Sequence, residues 1–192
     1  MSEIIIRRAV EGDQSEVARM IVDGFHNDFS KISEKLDHVA AVIQNGTHIE
    51  RFFIAKGGEE TVGILACTDC RSRAVSISMA ACRKYFGFVK GTLAGAVMIS
   101  DFSKQLRYPP TTGYIEFVAV AEKERKKGLA TKMLHAMMEQ TEYKEYLLDV
   151  METNIAAQLC YLKFGFVEFE RTPVCFSKWK GFSSKIYMRY IK

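Results

Sequence analysis

The sequence predicts a mixed α/β fold, and three observations predict it. Strand-like and helix-like segments alternate along 192 residues with no repeat, low-complexity tract or linker between them. The strongest strand pattern, residues 113–120 (Gly-Tyr-Ile-Glu-Phe-Val-Ala-Val), passes through a charged turn directly into a helical pattern. The composition, 48% hydrophobic and 26% charged, supplies a core at a length that suits one domain. The expected architecture is one domain over residues 1–192, with a mixed central sheet of about six or seven strands flanked by helices.

The elements follow in order. Residues 3–10 are β-branched and apolar up to a pair of arginines, a first strand. Asp13, three residues before Glu16, resembles a capping box. Val17, Met20, Ile21, Gly24 and Phe25 then recur at helical spacing. Leu36, Val39, Ala40 and Ile43 predict a second helix ending near Gly46. Residues 51–56 and 61–68 are strand-like runs around Gly57-Gly58-Glu59-Glu60, a hairpin signal. From 71 to 106 the pattern turns helical, with one helix over 74–86 stopped by Gly87 and another over 92–106. Pro109-Pro110 breaks the chain before the strand at 113–120. A helix over 128–140 carries Leu129, Ala130, Met133, Leu134, Met137 and Met138 every three to four residues. A strand at 146–151, a helix at 155–163 and strands at 166–170 and 185–191 complete the chain.

Composition excludes several classes of function. Lys plus Arg number 27 against 23 acidic residues, a net charge of +4, which is too mild to announce a nucleic-acid binder. No apolar run approaches the roughly 20 residues that span a bilayer, and the opening residues are not expected to act as a signal peptide. A cytoplasmic protein that binds neither membrane nor nucleic acid is expected, its five cysteines reduced. Cys67-Thr68-Asp69-Cys70 is a lone Cys-x-x-Cys. Paired with Thr172-Pro173 it allows a thiol-redox reading, set against strand-end thiols. No second ligand pair accompanies it, so no metal is expected. His26, His38, His48 and His135 fall in no motif. The aromatic and basic stretch Lys178-Trp179-Lys180-Gly181-Phe182 reads as a loop before the last strand.

The chemistry concentrates at Arg125-Lys126-Lys127-Gly128-Leu129-Ala130, between a strand and a helix. A helix N-terminus offers unpaired N–H groups and a positive dipole end, so this stretch can cradle phosphate. Gly128 permits close backbone approach, and Thr131 and Lys132 stand ready to contribute. The Walker A and dinucleotide glycine patterns are absent. The same residues also read as a solvated basic turn that caps a helix.

The segment Val120-Ala121-Glu122-Lys123-Glu124-Arg125-Lys126-Lys127-Gly128-Leu129-Ala130 resembles the acyl-CoA signature of the GNAT superfamily of N-acetyltransferases, Val-x-x-x-x-Gln/Arg-x-x-Gly-x-Gly/Ala after a strand. A second block, running from Asn154 through Tyr161 to Gly165-Phe166, is similar to the family's Asn-x-x-Ala-x-x-x-Tyr-x-x-x-Gly-Phe. Ile6-Arg7-Arg8-Ala9 with Asp13, and the hairpin ending Thr61-Val62-Gly63, also fit the family's opening. Two departures stand out: Glu122 where many members have Pro, and the helical insertion at 71–106, expected to cover the acceptor site.

The resemblance implies acetyl-CoA as co-substrate and direct transfer to a primary amine on a small molecule or peptide. Its pyrophosphate falls on the backbone of residues 125–130, and its pantetheine beside Val118-Ala119-Val120. An N–H near Val118 or Ala119 then polarises the thioester. Tyr161 matches the family's general acid, with a reference pKa near 10, close to that of an alkyl thiol. Asn154 matches the amide that holds pantetheine, and reads equally as a helix N-cap. Strand alternation places Glu116 on one face with Tyr114, Val118 and Val120, and the resemblance, in which a Glu often stands in this part of the strand, makes it the expected base. Asp149 is the competitor, and a raised pKa is expected of either acid in an apolar setting. Both also read as structural hydrogen-bond acceptors. A non-catalytic acyl-CoA sensor using the same cradle is the alternative function, and a homodimer is a further expectation.

Overall fold

The computed structural model describes residues 3–69, 71–102, 108–174, 177 and 181–192. In chain order these form β1 (Ile4–Arg8), α1 (Gln14–Gly24), α2 (His26–Phe29), α3 (Leu36–Asn45), β2 (Phe52–Gly57) and β3 (Glu60–Thr68). Next come α4 (Met79–Phe86), α5 (Phe88–Phe102), β4 (Thr112–Val120) and α6 (Leu129–Glu139). The chain closes with β5 (Glu145–Met151), α7 (Ile155–Phe164), β6 (Val167–Pro173) and β7 (Ser184–Ile191). The seven strands make one sheet in the order β1-β2-β3-β4-β5-β7-β6. Every pairing is antiparallel except β4 with β5.

The sheet is packed on both faces, and β2 shows why. Its Phe52 and Ile54 point to one core with Ile21 of α1, Val39 of α3 and Met98 of α5. Phe53 and Ala55, one residue out of phase, point to the other with Met133 of α6 and Tyr161 of α7. A strand buried on both faces needs a continuous apolar run instead of an alternating one. The edge strand β6 is mostly exposed and ends in Pro173, which a sheet edge tolerates.

The insertion differs from its expected boundaries. Helix α4 begins at Met79, because the Ser78 hydroxyl accepts a bond from the Ala81 N–H at 3.4 Å and caps it. Ala74 and Val75, expected in that helix, are instead fully buried, and Val75 bridges to Thr47. Helix α5 starts at Phe88, four residues before the expected start, and the expected end at 103–106 lies outside the described residues. Its glycines are packing residues. A Cβ on Gly91 would sit 2.5 Å from the Cys82 carbonyl oxygen, so α4 and α5 close only with hydrogen there. The four-residue α2 was not anticipated.

Asp13 also departs from its expected role. Its side chain makes no cap bond to α1. Instead its carboxylate accepts two bonds from Arg7, at 2.7 and 3.0 Å, and a third from the Val10 N–H. A bidentate charged partner outcompetes a lone backbone amide. Glu16 correspondingly pairs with Lys56 at 2.6 Å and with the Thr61 hydroxyl, tying α1 to the β2–β3 hairpin.

Candidate active site

β4 and β5 pair only from Thr112↔Glu145 to Ile115↔Leu148. Beyond that point β4 stays with β3 and β5 with β7, so the sheet forks. A cavity of about 260 Å³ occupies the fork. From Glu116 to Val120, β4 has no paired strand on its β5 side. An extended ligand can hydrogen-bond along such an edge.

A β-bulge shapes β4 at the fork. Ala66 pairs with Glu116 and Ile64 with Ala119, so Phe117 and Val118 together oppose Leu65. Phe117 takes a φ of +54°, strained for a residue with a side chain. The extra residue ends strict alternation. Tyr114 and Glu116 share a face, since Arg73 contacts both. Val118 and Val120 pack with Ile115 against the α6 and α7 core instead. The expected grouping of Tyr114, Glu116, Val118 and Val120 is therefore corrected: the bulge turns Val118 away from Glu116.

The basic turn builds a helix N-terminus. Gly128, at φ +79°, is the left-handed N-cap of α6, a conformation that L side chains adopt only with strain. The Lys132 N–H is the first to bond back, to the Gly128 carbonyl. The amides of Leu129, Ala130 and Thr131 precede that bond and have no acceptor within the helix. Arg125 donates to the Val120 carbonyl at 3.1 Å, and Lys127 lies 3.3 Å from Glu124. The Thr131 hydroxyl lies 3.9 Å from Cys160 Sγ on α7, and the Leu129 side chain is buried in the core. The anion-binding potential thus lies in backbone amides and in the cations around them. None of residues 125–131 lines the cavity.

Glu116, Val118, Asp149, Asn154 and Tyr161 all do. Asn154 caps α7, its side-chain oxygen accepting from the Ala157 N–H at 3.1 Å. The buried Tyr161 hydroxyl makes no hydrogen bond among the described residues. Burial, with lesser contributions from Cys160 and Asp149, pushes its phenol well above the ordinary tyrosine range. The close match to a thiol expected from the reference value does not hold here, because desolvation favours the neutral phenol. At neutral pH the group is a protonated hydrogen-bond donor.

The two acids shift in opposite directions. Burial is the largest influence on Glu116 and holds its carboxyl above the ordinary range. It does so although Arg73 Nε at 2.9 Å, Thr68 Oγ1 at 3.3 Å and the Ala74 N–H at 3.4 Å all donate to it. Burial also pushes Asp149 up, but Lys185 Nζ at 2.7 Å, the Tyr114 hydroxyl and the field of Arg73 outweigh it. Asp149 therefore sits below its ordinary value, which overturns the expectation of a raised pKa there. Tyr114 in turn is raised well above the usual range, by burial first and then by Asp149.

Arg73 and Lys185 were missed as site residues. Each pairs with an acid tens of positions away, Glu116 and Asp149, and no local spacing encodes such a pair. Phe182 also lines the cavity, while Lys178, Trp179 and Lys180 lie outside the described residues. Cys67 is buried on β3 and Cys70 lies outside the described residues. Among the described residues no three His, Cys, Asp or Glu side chains gather as metal ligands would. No described helix is long and apolar enough to cross a membrane.

Known structures share this architecture. A crystal structure described as an acetyltransferase superposes with a TM-score of 0.66 at 19% identity, covering 97% of this chain and 98% of its own. An N-acetyltransferase from Staphylococcus aureus Mu50 gives 0.65 at 17%, covering 97% and 100%. An acetyltransferase of the GNAT family from Bacillus cereus ATCC 10987 gives 0.59 at 13%, covering 100% and 99%. At such identities the likeness is one of fold. No curated protein matches the sequence. The sequence itself matches the model of the acetyltransferase (GNAT) family over residues 69–166. That span, just over half of the 192 residues, contains the bulged β4, the Gly128 cap and Tyr161. The forked sheet, the helix N-terminus beside it and the matched sequence agree, and the chain belongs to the GNAT family of acetyltransferases.

Proposed function

We propose that this protein is an acetyl-CoA-dependent N-acetyltransferase that moves the acetyl group directly to a primary amine. Family membership implies acyl transfer, and the family generally uses acetyl-CoA. The observation that carries the finer reading is the Tyr161 hydroxyl, an unpartnered donor among the described residues, lining the same fork as the β4 bulge. Acetyl-CoA supplies an activated acyl group as a thioester, and the residues present fit it. The amides of Leu129, Ala130 and Thr131 hold the pyrophosphate, with Arg125, Lys126 and Lys127 adding charge. The unpaired edge from Val118 to Val120 and the Asn154 amide align the pantetheine.

A backbone N–H near Val118 or Ala119, at the bulge, polarises the carbonyl oxygen, where a preorganised donor is worth roughly 2.7–4 kcal/mol. Glu116 takes one proton from the incoming ammonium; its raised pKa suits that exchange. Asp149, held ionised by Lys185, orients Tyr114 and supplies negative potential at the fork. The amine nitrogen forms the C–N bond as the C–S bond breaks. The acylated nitrogen sheds its second proton to solvent, Tyr161 donates its proton to the departing sulfur and regains one from solvent, and Glu116 passes its proton to solvent, leaving the amide and the free thiol.

The test is CoA release on mixing the protein with acetyl-CoA and a panel of amines. Turnover that drops about a hundredfold in Tyr161→Phe, with acetyl-CoA binding retained, supports the assignment. Tight acetyl-CoA binding without turnover of any amine points to a sensor instead. An unchanged rate in Tyr161→Phe removes the tyrosine from the mechanism.

A further inference from the structure

We infer that the acceptor is a small primary amine carrying an aromatic ring on a short alkyl tail. This deepens the acetyltransferase reading and rests on it. The cavity runs from Tyr161, on the α6–α7 side of the sheet, past Glu116 to the side covered by α1, α2 and α5. That second end is lined by four phenylalanines from four separate places: Phe25 after α1, Phe29 of α2, Phe102 of α5 and Phe117 of the bulge. Their rings form a connected wall. Phe117 meets Phe25 edge-on at 5.9 Å and stacks on Phe102 at 5.7 Å, and Phe29 lies 6.3 Å from Phe102. Ile32 and Val97 extend the same apolar surface.

Such a wall rewards an aromatic body by burial and by ring–ring geometry. The four rings themselves offer no acceptor to a polyamine, whose additional ammonium groups would lose their water against them. Glu116, beside Phe117, marks the polar end where the reacting nitrogen belongs. Asp28, Lys31 and Asp101 also line the cavity and keep its outer rim polar. The volume of about 260 Å³ includes the Tyr161 end that the thioester occupies, so what remains suits an acceptor of one ring. The insertion thereby sets specificity, since it contributes Phe102 and Val97.

The test compares 2-phenylethylamine, n-butylamine, spermidine and a lysine-containing peptide by CoA release from acetyl-CoA. The expected kcat/KM for 2-phenylethylamine exceeds that for n-butylamine roughly tenfold or more. Phe102→Ala collapses that ratio toward one, and Phe102→Leu retains part of it. Thermal stabilisation of both variants by acetyl-CoA shows that the fold and donor site survive. Equal or better use of n-butylamine, spermidine or the peptide overturns the inference while leaving acetyl transfer standing. If no amine turns over, calorimetric titration of 2-phenylethylamine into CoA-saturated protein decides. Binding tighter than that of n-butylamine supports the inference, and no binding overturns it. Absence of any acetyl-CoA binding overturns both readings together.

Discussion

Replacing Arg73 with Met should destabilise the protein in a manner that depends on pH. The Arg73–Glu116 pair is 2.9 Å long, and its side chains are only 19% and 4% exposed. Removing one partner of a buried pair costs roughly 3–5 kcal/mol, because the other charge is left stranded. Glu116 would keep its bonds from Thr68 and the Ala74 N–H, so the lower end, about 3 kcal/mol, is expected at pH 8. At this chain length that is a fall in Tm of roughly 6–12 °C. The sign of the pH dependence follows from the proton. Burial already holds Glu116 above the ordinary carboxylate range, and losing Arg73 raises it further. A folded state that keeps a proton the unfolded chain has released loses stability as pH rises between the two pKa values. The deficit of Arg73→Met relative to the parent should therefore shrink as pH falls from 8 to 5. The double variant Arg73→Met/Glu116→Gln, with no stranded charge, should recover most of the loss. Urea unfolding at pH 5 and pH 8 measures this. A deficit equal at both pH values, or a single variant within about 1 kcal/mol of the parent, would refute a buried pair.

Three further outcomes are expected. A saturating ligand at a hundred times its dissociation constant adds about 2.7 kcal/mol, so acetyl-CoA should raise the Tm by roughly 5–11 °C. Gly128→Glu should abolish that rise, because it strains a left-handed residue and sets a carboxylate beside the phosphate; a rise retained in the variant places the pyrophosphate elsewhere. Glu116→Gln should slow acetylation most at pH values where the amine arrives protonated, as the pH profile of kcat/KM would show. If Asp149→Asn has that effect instead, the base is Asp149. Finally, Glu152 accepts bonds from the Ser183 N–H and hydroxyl, each at 2.6 Å, and from the Ser184 hydroxyl, which hold its carboxyl down at about 2. What it contributes to anchoring the start of β7 is present above the ordinary carboxylate range and lost as pH falls toward 2. Its NMR titration should show that low midpoint, and one near 4 would mean that the serine contacts do not persist in solution.

The Gly128 start of α6 and the place of Tyr161 on α7 were legible in the sequence because they are local. Gly128 between a strand and a helix, and Asn154 seven residues before Tyr161, are set by chain geometry over one or two helical turns. The seven strands and both flanking layers followed from periodicity and buried runs in the same way. Boundaries were less legible where a single side chain decided them. Ser78 starts α4 through one hydrogen bond, and Gly91 and Gly95 weakened a helical pattern that they in fact serve by admitting α4.

What the sequence could not reveal lies in long-range pairing. An extra residue in β4 is invisible until β3 lies beside it, yet that bulge decides which side chains accompany Glu116. Glu116 and Asp149 shift in opposite directions because burial outweighs Arg73 at the one, while Lys185, Tyr114 and Arg73 together outweigh it at the other, and these partners arrive from distant segments. The aromatic wall is assembled from four places that share no spacing. Chain connectivity determined the family's local motifs on its own. Only the tertiary structure decided the electrostatics and the shape of the cavity, because both depend on distances between residues far apart in the chain.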